Sequence, residues 1–221
     1  MDTVAGIIMD KTGFDIDRLR DAVRSRMDDR RYAHTLGVEA MAVRLGELYL
    51  PYKTEELRCA ALLHDITKQE TLEKQLQYIV EFDIMIRDFG ELTPALLHSM
   101  TGAAVISKDF PEYATEDIVS AVRWHTTGRR DMTLFDSLIY LADYIEDGRD
   151  FDDCVLLRKY FWEAFPEKMN ESERLAHLWR TMVKSVDFTV RQLTSSGRYI
   201  DVNAIECRNY YLEKINKKQT L

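Results

Sequence analysis

Cysteine is scarce in this sequence of 221 residues. The three cysteines, Cys59, Cys154 and Cys207, are widely spaced and odd in number, and no CxxC motif occurs. This pattern indicates neither a disulfide framework nor a thiolate zinc site. It is typical of a protein that folds in a reducing compartment, and we expect a cytoplasmic location.

Long hydrophobic runs are also missing. No stretch approaches the roughly 18 consecutive apolar residues that a membrane-spanning helix needs. The start of the chain, MDTVAGIIMDKTGF, has only a short apolar run, and Asp2 stands where a signal peptide carries positive charge. We therefore expect neither a secretory signal nor a membrane among the partners.

The chain has no excess of basic residues. Its formal net charge is −8, which argues against a general nucleic-acid binder because such proteins neutralise phosphates with lysine and arginine. A small phosphorylated ligand held by a few local cations is compatible with this balance, and so is a homodimer. We expect a small-molecule partner and no nucleic acid.

Strand-like alternation is essentially absent, and apolar residues recur instead at helical spacing. The four prolines fall between the periodic segments or at their starts, where a missing N–H is tolerated. Gly128 is a natural stop for EDIVSAVRWHTTG, and Thr133 with Asp136 resembles an N-cap pair before LFDSLIYLADYIED. The pattern predicts an all-α protein.

Four of the five histidines lie on the apolar faces of separate predicted helices. The stripe of His64, for example, contains Leu57 and Ala60 at helical offsets. A soluble protein has little structural need for so many imidazoles on apolar segments. Together with two aspartates they form a set of six candidate metal ligands: His34, His64, Asp65, His98, His125 and Asp143.

The adjacent pair His64–Asp65 is the centre of this interpretation. At the end of a helix, neighbouring side chains can reach one ion while the second carboxylate oxygen reaches another. The dipeptide alone is a weak signal, since a space-filling histidine beside an exposed aspartate gives the same two letters. Its combination with four more ligands on separate apolar faces favours a site for two divalent metals.

Longer sequence motifs indicate which protein family the chain resembles. The order H…HD…D, as His34, His64–Asp65 and Asp143, resembles the HD superfamily of metal-dependent phosphohydrolases. Over roughly residues 17–212 the chain is similar, more narrowly, to the bacterial YqeK family, through the words RRYAHTLGVEAMA, AALLHDITK, LLHSMTGAAVI, AVRWHTTGRRDMTLFDSLIYLADYIEDGRDF and LRKYF. One departure is Asp147, where members of that family often carry proline.

This resemblance implies an HD-domain helical bundle with additional C-terminal helices. We predict a single domain over residues 17–215, an N-terminal extension over 1–16 and a C-terminal tail over 216–221. The polar stretch 69–93 lies between ligand-bearing segments and is a candidate rim or lid.

The YqeK family is known for symmetrical hydrolysis of dinucleoside tetraphosphates, which would convert diadenosine tetraphosphate into two ADP. By resemblance, the four ligands of the H…HD…D order hold one ion, and Asp65 bridges to a second ion that His98 and His125 complete. Asp65 is therefore also a predicted catalytic residue. Iron is the implied metal; manganese, nickel and cobalt remain alternatives because the ligands suit all of them.

Three further residues are candidates for substrate binding. Lys68 stands at the metal-bearing end of its helix, and we expect it to contact phosphate or assist the leaving group; the alternative is a partner for a neighbouring carboxylate. Arg149 lies just past the helix that carries Asp143, where a phosphate contact and a structural salt bridge are equally plausible. Thr126 offers a hydroxyl to substrate, although turn chemistry explains it almost as well.

Two other functions stay open at this point. A mixed-valent di-iron oxygenase on an HD scaffold uses the same ligand set, so the ligands do not separate it from a hydrolase, whereas dependence on dioxygen would. A nucleotide-binding regulatory protein would keep the metal site as a structural element.

Overall fold

The computed structural model describes residues 13–87 and 89–219. Within these residues the chain forms ten α-helices and no strand, so the prediction of an all-α protein is confirmed. In chain order the helices are α1 (Ile16–Arg24), α2 (Asp29–Tyr49), α3 (Thr54–Leu63), α4 (Leu72–Glu81), α5 (Pro94–Asp109), α6 (Glu116–Trp124), α7 (Leu134–Ile145), α8 (Asp152–Trp162), α9 (Glu171–Ser195) and α10 (Val202–Gln219). In the described part of the chain, no helix combines the length and the hydropathy needed to cross a bilayer.

The four prolines begin helices, as their positions predicted. Pro94 is the first residue of α5, and Pro51, Pro111 and Pro166 each open a short 3-10 turn. Since the first turn of a helix has no use for its own N–H groups, proline costs little at these positions.

Two helices, α3 and α7, are buried on nearly every side and form the centre of the molecule. Helix α3 packs against α1, α2, α6 and α7, while α7 packs against α2, α3, α6, α8 and α9. In α3 the residues 57–63 are buried except Arg58, and the small side chains of Cys59, Ala60 and Ala61 let neighbouring helices approach closely. The C-terminal ends of α3 and α7 therefore lie inside the protein.

The signals around the start of α7 are confirmed. Thr133 and Asp136 form a capping box, in which each backbone N–H donates to the other residue's side chain at 3.0 Å. Gly128 has φ +65°, and its N–H donates to the carbonyl of Trp124 at 2.8 Å, which ends the helical path after α6. A Cβ atom at Gly128 would also lie 2.6 Å from Cys207 Sγ.

The C-terminal helices pack on the bundle through α7. Helix α9 contacts α7, α8 and α10, and the hydroxyl of Tyr211 on α10 lies 2.5 Å from Ser137 Oγ on α7. Helix α10 continues to Gln219, into the predicted tail. At the other end, Phe14 stacks on Tyr113 with ring centroids 5.7 Å apart, and residues 1–12 lie outside the described residues. The division into extension, domain and tail stays a prediction.

Candidate metal centre and cavity

The six predicted ligands lie on different elements and converge at the centre of the bundle. His34 lies on α2, His98 on α5 and Asp143 on α7, whereas His64 and His125 are the C-cap residues of α3 and α6. Because these elements pack around α3 and α7, their polar groups meet in an otherwise apolar interior. The fifth histidine, His177, is a buried residue of α9 whose Nε2 donates to the carbonyl of Phe161 at 3.1 Å.

Asp65 presents its two carboxylate oxygens to two different groups of imidazoles. Oδ1 lies 3.2 Å from His98 Nε2 and 3.6 Å from His125 Nε2. Oδ2 lies 3.3 Å from His64 Nε2 and 4.0 Å from His34 Nε2. Ligand atoms bound at about 2.1 Å to one ion lie roughly 3 to 4 Å from each other, so the spacing suits one cation on each side of the carboxylate.

Asp143 completes the group around Oδ2. Its Oδ1 atom lies 3.0 Å from His34 Nε2 and 3.9 Å from His64 Nε2. In each of two sets, the ligand atoms all lie within 4.8 Å of one another: one set comes from His34, His64 and Asp143, and the other from His64, Asp65 and His125.

Each of the four imidazoles donates through Nδ1 and turns Nε2 to the centre. Nδ1 of His64 lies 2.6 Å from the carbonyl of Ala61, and Nδ1 of His125 lies 2.7 Å from that of Val122. Nδ1 of His98 lies 3.2 Å from the carbonyl of Pro94, and Nδ1 of His34 lies 3.1 Å from Glu146 Oε1. Since a carbonyl or carboxylate oxygen can only accept, Nδ1 carries a proton in each ring, and Nε2 is the atom through which the neutral ring can bind a metal.

The imidazoles differ in protonation. Burial lowers the pKa of His98 to about 4, with a contribution from the ammonium of Lys68, and burial also lowers the pKa of His125. Burial acts in the same direction on His34, but hydrogen bonds to the carboxylates facing it outweigh burial and raise its pKa to about 9. His98 and His125 are therefore neutral at pH 7, and a cation at His34 must displace one proton.

The two aspartates stay ionised despite their position. Burial favours the neutral form, but electrostatic interactions with the imidazole of His64 and the ammonium of Lys68 hold the pKa of Asp65 well below its usual value. Arg149 does the same for Asp143. A metal-binding site requires these protonation states because carboxylates bind as anions.

Unsatisfied polar atoms indicate that the cluster fits a cation. His64 Nε2 and Asp65 Oδ1 are buried and have no hydrogen-bond partner of good geometry within the described structure. Buried polar atoms without partners are costly, and they are rare in folded proteins. Nitrogen and oxygen atoms left this way at the spacing above are the donor set that borderline divalent metals prefer.

A cavity of about 1080 Å³ opens beside this cluster and contains several cationic side chains. Lys68 Nζ lies 3.1 Å from His98 Nε2 and 3.8 Å from Asp65 Oδ1. The guanidinium of Arg149 forms an ion pair with Asp143, which is the structural alternative considered for it, and the residue also lines the cavity. Cationic side chains therefore lie beside the cluster, where they can meet an anionic substrate.

Thr126 lies closer to the predicted ligands than sequence reasoning suggested. Its hydroxyl is 3.1 Å from His98 Nε2 and 3.2 Å from His125 Nε2, and the residue lines the cavity. A role for Thr126 in substrate binding stays a prediction.

Two residues that contact the cluster were missed by the sequence reasoning. Arg31 donates from Nη1 to Asp65 Oδ2 at 2.8 Å, and its position one turn before His34 on α2 was an available signal. Glu146 accepts from His34 Nδ1, and its other oxygen accepts from the N–H of Gly148 at 2.6 Å. Glu146 stands one turn after Asp143, so helical spacing pointed to it as well.

Gly37 makes room for Glu146. A Cβ atom at Gly37 would collide with Glu146 Oε2 and lie 3.0 Å from Cδ. Glycine on α2 thus lets the α7 end approach closely enough for Glu146 to reach His34.

The predicted rim segment makes little contribution to the cavity. Gln69 lines it, but the other described residues of 69–93 do not. Helix α4 packs against α5, and the amide of Gln75 donates to the carbonyls of Thr67 and Glu70 at 3.2 and 3.1 Å. Movement of this segment over a ligand stays a prediction.

Comparison with known proteins explains this arrangement. The profile of the HD domain family matches residues 31–148, more than half of the chain and the span that contains the whole cluster. The protein belongs to the HD domain family. Membership implies dependence on divalent metal ions, and the histidine–aspartate cluster of this HD domain is suited to bind them.

The relatives agree with the narrower resemblance. A Staphylococcus aureus protein named bis(5'-nucleosyl)-tetraphosphatase, symmetrical, is 27% identical over 196 residues, which cover 89% of this chain and 94% of that protein. A Bacillus subtilis protein of the same name is 34% identical over 137 residues, or 62% of this chain and 72% of the relative. The predicted similarity to the YqeK family is thereby confirmed.

A solved structure shares the fold of this HD domain protein over nearly its whole length. It is described as a predicted HD superfamily hydrolase involved in NAD metabolism from Clostridium acetobutylicum, with a TM-score of 0.75 and 30% sequence identity. The match covers 91% of this chain and 98% of that chain. The prediction of an HD-type bundle with additional C-terminal helices is confirmed.

Proposed function

We propose that the protein is a metal-dependent hydrolase that cleaves dinucleoside tetraphosphates symmetrically, with diadenosine tetraphosphate giving two ADP. The observation that carries this proposal is Asp65, whose two oxygens each face a pair of imidazole nitrogens. The names of the relatives supply the substrate class. The proposal includes two divalent ions, iron being the first candidate, and a cytoplasmic location.

The six ligands would hold the ions as the resemblance implies, with Asp65 between them. Bound there, two divalent ions would supply an activated water and polarise the phosphate that it attacks. The chain itself contributes orientation: every Nδ1–H is fixed by an oxygen acceptor, so each ring presents Nε2 in one direction.

Cationic side chains flank both aspartates, which supports cleavage in the middle of a polyphosphate. Arg31 and Lys68 lie beside Asp65, and Arg149 lies beside Asp143. Phosphates on either side of the reacting one would each meet a cation, which stabilises the charge that develops on the leaving ADP. A substrate attacked near its end would leave one of these groups of cations without a partner.

The names of the two relatives above favour a hydrolase over an oxygenase or a regulatory protein, since both are named as tetraphosphatases. The decisive experiment is product analysis by chromatography after incubation of the purified protein with diadenosine tetraphosphate. We expect ADP as the single product and loss of the reaction after chelation of the metal ions. We also expect full activity without dioxygen when a divalent ion such as Mn²⁺ is supplied. Formation of ATP with AMP, or a requirement for dioxygen, would contradict the proposal.

Replacement of Lys68 by alanine is expected to lower kcat/KM by about 100-fold, the typical cost of losing one charge-stabilising donor. An ammonium close to His98 weakens cation binding, so its position is best explained by an anionic ligand. Since removal of a charge that repels cations does not weaken their binding, metal content should not fall in this variant. Steady-state kinetics with metal analysis tests this, and Lys74→Ala on α4, outside the cavity lining, is the control. An unchanged rate for Lys68→Ala would remove this residue from the site.

A further inference from the structure

The cavity has two walls of opposite chemistry. One, which we call the basic wall, consists of Arg30, Arg31 and Lys68, from the start of α2 and the turn after α3; Asp28, which also lines the cavity there, caps α2 by accepting from the N–H of Arg31. The other, which we call the acidic wall, consists of residues 150–153, Asp-Phe-Asp-Asp, at the start of α8. Tyr144 of α7 and Gln192 of α9 also line the cavity.

Phe151 is the unusual member of the acidic wall. Its side chain is 61% exposed although it lines a cavity beside a charged cluster. Phe151 is the N-cap residue of α8 and makes no side-chain capping bond, so the start of the helix does not explain an aromatic residue at this position. A ligand that covers the ring would explain it, since burial of aromatic surface is favourable.

The connection between α7 and α8, which carries Phe151, is fixed by hydrogen bonds from Arg158 on α8. Arg158 donates to the carbonyl of Ile145 at 3.0 Å, to that of Asp147 at 3.2 Å and to that of Arg149. These bonds fix the backbone between α7 and α8, so the phenyl ring is presented from a defined position. A preorganised aromatic surface loses less entropy on binding than a mobile one.

The charge of the acidic wall decides which part of a nucleotide it meets. Three carboxylates repel phosphate groups, which are attracted to the basic wall and to Arg149 instead. The nucleoside is the uncharged part of the substrate, and its base offers a flat face and amino protons. Carboxylates accept hydrogen bonds from such N–H groups.

We propose that the acidic wall is a nucleoside subsite in which Phe151 stacks on one purine base of the dinucleotide and the adjacent aspartates accept hydrogen bonds from the base or ribose. This inference rests on the proposed function, because it assigns one end of the same substrate. It makes Phe151 a residue that determines the affinity for the base and takes no part in the cleavage step.

The test compares Phe151→Ala with Phe151→Trp. For Phe151→Ala we expect KM for diadenosine tetraphosphate and Kd for ADP to rise about 5- to 30-fold, as expected for loss of one base–aromatic stack. The values of kcat and of Kd for inorganic pyrophosphate, which has no base, should not change. Phe151→Trp should restore both affinities. The control is Phe165→Ala, which removes a 53% exposed phenyl ring that does not line the cavity.

Two results would overturn the subsite. One is an unchanged Kd for ADP in Phe151→Ala, and the other is an equal loss of affinity for ADP and pyrophosphate, which would mean that the ring acts on the phosphate region. The binding measurements also separate the two proposals. If the wild-type protein cleaves no dinucleoside tetraphosphate but Phe151→Ala selectively weakens ADP binding, the proposed function fails and the subsite stands.

Discussion

Asp65→Ala is expected to abolish hydrolysis while the helical content stays close to that of the wild type. Loss of a hydrogen-bonded partner behind a metal ligand already costs up to about 100-fold, and Asp65 faces both groups of imidazoles directly, so its loss should exceed that value. The fold should tolerate the change because Oδ1 has no hydrogen-bond partner within the described structure, and Arg31, which donates to Oδ2, is 29% exposed and can stay solvated. Rates of ADP release, metal content per chain and circular dichroism together test this prediction.

The control for this variant is Asp109→Ala, which removes a carboxylate at the end of α5 that pairs with Arg26 on the surface. We expect Asp109→Ala to keep two ions per chain and the wild-type rate. The two-metal interpretation would be wrong if Asp65→Ala retained both ions and full activity. If Asp65→Ala loses helical content, Asp65→Asn is the variant to test instead, because it keeps the side-chain volume and removes the charge.

Glu146→Ala is expected to weaken metal affinity by about 10- to 100-fold, although Glu146 is not one of the six predicted ligands. The carboxylate accepts from His34 Nδ1 and so fixes the direction of Nε2. Without it, the ring loses both its orientation and the negative charge that increases its basicity. Activity measured against metal concentration should therefore shift to higher concentrations and recover much of its maximum at saturation.

Asp147→Ala is the matched control for Glu146→Ala. Asp147 is the next residue and also has a carboxylate, but that carboxylate faces Arg44 on the surface. Its metal dependence should equal that of the wild type. If Glu146→Ala showed the same metal dependence as Asp147→Ala, the hydrogen bond to His34 would have no role in metal binding.

The four histidines and Asp143 were accessible from the sequence because each lies at a helical offset from apolar neighbours, and Asp65 because it directly follows His64. An imidazole on an apolar stripe must point inward, and several inward imidazoles share one interior, so convergence followed from periodicity. The caps at Thr133 and Gly128 were accessible for the same local reason, since capping depends on residues within one turn.

The residues that surround the ligands depend on which helices pack together, and this packing could not be predicted from local sequence patterns. Glu146 reaches His34 because α2 packs against α7 and Gly37 leaves space between them. Arg31 on α2 contacts Asp65 after α3, although 34 positions separate the two residues in the sequence. Phe151 lines the cavity because the connection between α7 and α8 turns towards it. No local rule predicts such crossings.

The three carbonyls that accept from Arg158 have a consequence for how this scaffold can diversify. Because the path of the α7–α8 connection is determined by main-chain oxygens, the side chains that follow it are free to change without altering that path. In the proposed nucleoside subsite, selectivity for one base or another can then evolve, or be engineered, by exchanging a few neighbouring residues. The six candidate metal ligands all precede this connection in the chain, so such exchanges leave the proposed metal site unchanged.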